Sequence, residues 1–249
     1  MAETSTAAPR IESNPKWIRG TSLGLPIVDS RNSRLVWEVP YYPAWYFPLD
    51  EVAAELRPTG AVKPTRRGDA TRYDLVVGDR VLADAAWRHL DSPASELGEL
   101  VRIEWGALDA WFEEDVEVFI HPRDPYRRVD VLPSSRHVVV RIDGEVVADS
   151  TRPTILFETG LPPRYYLPKG DVRMDLLTPS STSTACPYKG WAGYWDVTVG
   201  GTTHRDLVWG YRTPLAESAG VAGLVCFYDE KVDVVVDGAA QPRPVTPFS

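Results

Sequence analysis

Short apolar runs separated by tight polar turns recur along the chain, the pattern of strands rather than of helices. Val138-Val139-Val140-Arg141-Ile142 and Val146-Val147-Ala148 flank Asp143-Gly144. Both central positions of a type I′ turn need φ > 0, so this dipeptide predicts a hairpin. A second hairpin is expected about Gly200-Gly201, joining residues 194–199 to 202–209, with a similar turn earlier at Gly78-Asp79. A third pairing is expected between residues 224–228 and 232–236 across Asp229-Glu230-Lys231. Residues 50–56 and 171–177 read as short helical turns, each opened by an acid that suits a helix N-terminus.

The same pattern is written twice. With an offset of 120, Gly24, Asp29, Ser30, Glu38, Pro43, Tyr46, Pro48, Val52 and Leu56 meet identical residues at 144, 149, 150, 158, 163, 166, 168, 172 and 176. With an offset of 122, Gly68, Ala70, Asp74, Val77, Gly78, Asp84 and Trp87 meet identities at 190, 192, 196, 199, 200, 206 and 209. Trp37 with Phe157, Arg67 with Lys189 and Trp105 with Phe227 extend the match by similarity. A long unit present only twice is a duplicated domain, so each copy builds its own core. The expected organisation is a flexible N-terminus (1–15), a first module (16–120), a Pro-bearing linker (121–135), a second module (136–238) and a loose tail (239–249). The expected fold is all-β: two similar compact modules, barrel-like or tent-like, packed side by side, with short helical turns.

At 249 residues and 27.7 kDa, two modest cores are feasible. A net charge of -8 and only two-residue basic spots at Arg66-Arg67 and Arg127-Arg128 argue against a nucleic-acid partner. Residues 1–15 are polar and the longest mostly apolar stretch, 221–228, is too short for a bilayer, so neither a signal peptide nor membrane attachment is expected. Two cysteines forty residues apart point to free thiols and a cytoplasmic setting. Without C-x-x-C or H-x-x-x-H spacing no metal site is expected, and no cofactor.

The second copy has Cys186-Pro187-Tyr188-Lys189-Gly190 where the first has Pro64-Thr65-Arg66-Arg67-Gly68, so only the glycine and a basic residue survive there. With that segment, Glu158-Thr159-Gly160-Leu161-Pro162-Pro163-Arg164-Tyr165-Tyr166-Leu167-Pro168 and Trp209-Gly210-Tyr211 make the second copy resemble the bacterial domain of unknown function DUF427; the first resembles it in degraded form. The resemblance covers roughly residues 16–238 and implies a compact barrel or tent-like β fold and, by another label of that domain, nucleotidyl transfer. The chain itself carries no P-loop, no G-x-G-x-x-G and no paired acidic motif for that chemistry. Asp171 and Asp175, four apart, read as a solvated helical turn.

From the residues, Cys186 and Lys189 are the candidates for catalysis. An ammonium about 4 Å from a thiolate contributes up to about 4 kcal/mol at an effective dielectric near 20, enough to favour a nucleophilic thiolate. Cys226, in an apolar run, reads as core. Arg164, Tyr166, Tyr188, Gly190, Tyr194, Trp209 and Tyr211 are the candidates for ligand binding, since aromatic walls with one or two fixed cations suit a small planar or anionic molecule. The function expected is binding of a small molecule by the second module, with thiol-dependent chemistry at Cys186. The alternatives are a thiol-dependent transferase or nucleotidyltransferase, and a protein-interaction module.

Overall fold

The computed structural model describes residues 9–65, 68–92 and 94–246. Arg66 and Arg67, the latter opposite Lys189 in the repeat, lie outside the described residues. The chain divides into two compact units, Met1–Asp124 and Pro125–Ser249.

The first unit contains β1 (Arg10–Ser13), β2 (Ile18–Ser22), β3 (Leu25–Ser30), β4 (Arg34–Val39), β5 (Tyr42–Pro48), β6 (Glu55–Thr65), β7 (Gly68–Val77), β8 (Arg80–Arg88), β9 (Leu100–Ile103), β10 (Ala110–Glu113) and β11 (Val116–Val118). The second contains β12 (Val129–Pro133), β13 (Val138–Ile142), β14 (Glu145–Ser150), β15 (Thr154–Glu158), β16 (Arg164–Leu167), β17 (Leu177–Cys186), β18 (Gly190–Val199), β19 (Thr202–Tyr211), β20 (Val225–Phe227), β21 (Asp233–Val236) and β22 (Ala239–Ala240). In the first, a seven-stranded sheet runs β1-β4-β5-β9-β8-β7-β6 and a four-stranded sheet β11-β10-β2-β3. In the second the orders are β12-β15-β16-β20-β19-β18-β17 and β14-β13-β21-β22. These are the same topology, strand for strand. The sheets stay open, so each module is tent-like rather than a closed barrel.

Each principal core lies between the two sheets of its unit. In the second, Val138, Val140, Val234 and Val236 of the small sheet meet Leu167, Val197, Val208 and Phe227 of the large one. Fully burying a side chain of this size contributes about 1.5–3 kcal/mol. Ile18, Ile27, Phe47, Leu75, Ala86 and Val101 do the same in the first.

The hairpins at Asp143-Gly144 and Gly200-Gly201 form, with φ of 50 and 84 and of 56 and 85 degrees at the central residues. Repeated acids shape the long strands. Asp84 and Asp206 hold φ of 54 and 49 degrees, and their N–H groups donate to Asp74 Oδ1 at 2.7 Å and Asp196 Oδ1 at 2.8 Å. This places a bulge at the same point of β7–β8 and β18–β19 and bends both ladders.

Several expectations change. The third hairpin does not form: β20 pairs with β16 and β19, whereas β21 pairs with β13 in the other sheet. Residues 228–232 instead carry the chain from one sheet to the other. The register also replaces one match, because Ile103 rather than Trp105 stands where Phe227 stands: Ala86 pairs with Ile103 and Val208 with Phe227. β1 and β12 are equivalent edge strands, and they fall within the spans 1–15 and 121–135 expected to be flexible terminus and linker. Asp171 and Asp175 sit on successive 3-10 turns, paired with Arg152 and Arg173 respectively, and each carboxyl is held below its usual range chiefly by that bond. No helix among the described residues is long and apolar enough to cross a membrane.

Candidate functional site

Alternation along β16, β18, β19 and β20 sends Tyr166, Ala192, Trp209, Tyr211 and Cys226 to the side of the large sheet opposite the core. The stretch 212–224, with a 3-10 turn at Ala216–Val221, covers them: Val221 is buried among these rings, and Ser218 Oγ donates to the Tyr188 carbonyl at 3.2 Å. Most residues of the sequence motifs therefore converge beneath a cover rather than around an open cleft.

Their polar groups are largely committed to one another. Arg164 donates to Glu230 through two bonds, 2.8 and 2.5 Å, and Thr246 Oγ1 donates to the same carboxylate at 2.5 Å. Burial alone would raise Glu230, yet these partners bring it down to about 2. Asp229, 3.8 Å from the same guanidinium, is pushed up to about 7 by burial against the pull of Arg164. Trp209 Nε1 donates to Tyr166 Oη at 3.1 Å, and burial pushes the phenols of Tyr166, Tyr211 and Tyr228 up. Tyr194 Oη meets Thr184 Oγ1 at 2.7 Å. The corner that crosses between sheets explains Glu230, which sequence reasoning missed: a buried carboxylate there closes the site of Arg164, and the first copy has Ala44 in that arginine's place.

Lys189 turns its charge to a carboxylate. Its Nζ is bonded to Glu158, and both side chains are nearly buried. Cys186 is half-buried at the end of β17, and the Lys189 N–H donates to its carbonyl at 3.3 Å, closing the turn. Gly190 holds φ of 92 degrees there, a conformation L side chains resist, which accounts for its identity with Gly68. Cys226 is fully buried and its thiol is pushed up by that burial.

The first copy solves the same problem differently. Glu38, the counterpart of Glu158, pairs with Arg102, which occupies the position of Cys226 opposite Trp87. Tyr46 Oη donates to Glu38 at 2.5 Å, and Lys63 Nζ stands 3.4 Å over the Trp87 ring. His89, which replaces Tyr211, is buried and driven toward its neutral form by that burial. The buried charge is thus retained while its cation moves from a loop to a strand.

An open hollow lies on the other side of the second unit's large sheet, where Trp195 reaches from the core. Trp191, Trp195, Lys169, Arg212 and Leu224 surround a floor made by Gly193 and Gly210, directly paired across β18 and β19, in a groove of about 450 Å³. Gly210 is required by close approach: a Cβ there would stand 2.5 Å from the Leu224 carbonyl oxygen. Gly193 is not, since a Cβ would meet nothing within 4 Å. Lys169 Nζ lies 5.1 Å from the Trp195 ring centroid, and neither Lys169 nor Arg212 has a carboxylate partner among the described residues. Of the residues expected to bind a ligand, only Tyr211 borders this groove; the difference between the copies, Thr71 and Arg88 against Gly193 and Gly210, is the sequence signal that marks it. The first unit has a smaller hollow of about 260 Å³ beside Trp45, Trp105 and Trp111, whose charged members Arg102 and Glu104 are engaged by Glu38 and Lys63. Among the described residues no group of three or more His, Cys, Asp or Glu side chains is arranged to hold a metal.

No curated protein matches the chain. A family model described as "Domain of unknown function (DUF427)" matches residues 10–114 and again 130–238. The two matches begin at or next to the equivalent edge strands β1 and β12 and together cover most of the sequence, so the chain belongs to the DUF427 family in two tandem copies.

Proposed function

We propose that the protein binds a small molecule through its second module, in the groove floored by Gly193 and Gly210. The observation that carries this reading is Gly193, a strand glycine whose Cβ would meet nothing, set beside Gly210, which the Leu224 carbonyl requires. Glycine in a strand interior weakens it by about 0.5–1 kcal/mol relative to a residue with a side chain. Gly193, where the first copy has Thr71, exchanges that stability for open space between two indoles. A volume of about 450 Å³ is suited to a small ligand, within the usual range of roughly 300–1,000 Å³.

Tyr211 joins this groove to the covered cluster, so Arg164, Tyr166, Tyr188, Gly190, Tyr194 and Trp209 serve binding indirectly, by fixing the sheet beneath it. Chemistry at Cys186 has less support, because the cation nearest it in sequence is held by Glu158. The test is a thermal-shift screen of a metabolite panel against the wild type and Gly193→Thr. A compound that raises the wild-type midpoint and leaves Gly193→Thr unmoved supports the groove; hits that stabilise both proteins equally place binding elsewhere.

A further inference from the structure

We infer that the ligand of this groove is a planar aromatic anion, an inference that rests on the groove being the binding site. Trp191, Gly193 and Trp195 alternate along β18, so the two indoles flank the glycine on one side of the strand. At about 3.3 Å per residue their Cα atoms stand roughly 13 Å apart, room for a bicyclic ring laid on bare peptide planes. Gly210 continues that bare surface onto β19. A flat ring gains dispersion contact with such a floor and edge or face contact with the indoles, where a branched aliphatic group would touch only its high points.

Charge selects the rest of the ligand. The protein carries a formal net charge of -8, yet the groove's lining contains Lys169 and Arg212 and no carboxylate. A guanidinium offers a planar pair of donors that matches a carboxylate or phosphate, and the ammonium above Trp195 supplies a second positive centre. The first copy shows what removes the site: Asp69, Thr71, Tyr73 and Arg88 stand where Trp191, Gly193, Trp195 and Gly210 stand, which puts an acid on the wall and side chains on the floor.

Calorimetric titration of the full chain tests this with four probes: 2-naphthoate, its uncharged analogue 2-naphthamide, the non-aromatic cyclohexanecarboxylate, and AMP. The expected result is that 2-naphthoate or AMP binds at least tenfold more tightly than both control compounds, and that Lys169→Gln with Arg212→Gln removes this preference. Tighter binding of AMP assigns the anion as a phosphate, and tighter binding of 2-naphthoate as a carboxylate. Equal affinity for 2-naphthoate and 2-naphthamide, or naphthoate affinity unchanged by the double variant, overturns the aromatic-anion assignment. Should Gly193→Thr block a panel compound while none of the four probes binds, the ligand class fails and the groove stands. Binding of the probes that survives Gly193→Thr overturns both.

Discussion

Asp229 and Glu230 are adjacent carboxyls with opposite fates, and the difference is how many donors each receives. Glu230 takes two bonds from Arg164 and one from Thr246, so it is held at about 2. Its stabilising contribution is present above its unfolded pKa of about 4.3 and is lost as the pH falls toward 2. Asp229 stands off at 3.8 Å in a desolvated corner and is raised to about 7. Below about pH 3.9 it is protonated in both the folded and the unfolded chain. Between there and pH 7 only the unfolded chain ionises it, so folding carries a penalty that grows to on the order of 4 kcal/mol and then stays constant. Asp229→Asn removes that penalty. Its thermal midpoint is expected to exceed the wild type's at pH 7.5 and to equal it at pH 3.5; the same gain at both values contradicts the burial argument.

The hairpins were legible because their signals are local, a Gly-bearing turn between apolar runs. The crossover at residues 228–232 was not, because an Asp-Glu-Lys turn between two strands looks alike whether the strands pair or part; the decision lies in the burial of Glu230 against Arg164, sixty-six residues away. The candidate site was legible to the same degree. Aromatic and basic residues were found by type, but alternation sent Tyr166, Trp209 and Tyr211 under a cover and left Trp191 and Trp195 beside the open groove, and type does not reveal side. Comparing the copies does, since Gly193 opposite Gly210 has no structural reason at the first of the two positions. Gly193→Thr restores a β-branched residue to the strand at a point where its Cβ meets nothing. It is expected to raise stability by about 0.5–1 kcal/mol in urea denaturation, at the cost of binding. A destabilised Gly193→Thr would mean that this glycine serves the fold.

Each unit of the molecule has its own two-sheet core and the same topology, and the family match recurs in each. A chain spanning residues 125–249 is therefore expected to fold alone and to unfold in one cooperative transition, with far-ultraviolet dichroism and near-ultraviolet aromatic signals melting together. Failure of that fragment to show a cooperative melt would make the first copy part of the second one's core. Divergence of the copies leaves Thr71 and Arg88 in the first where the second has Gly193 and Gly210. Occupancy of the second copy's groove can be read residue by residue from the indole N–H resonances of the nitrogen-15-labelled full chain during titration with 2-naphthoate or AMP. The Trp191 and Trp195 signals are expected to move and saturate together while those of Trp45, Trp105 and Trp111 stay in place; movement of the first-copy indoles with Trp191 and Trp195 unmoved would contradict binding in this groove.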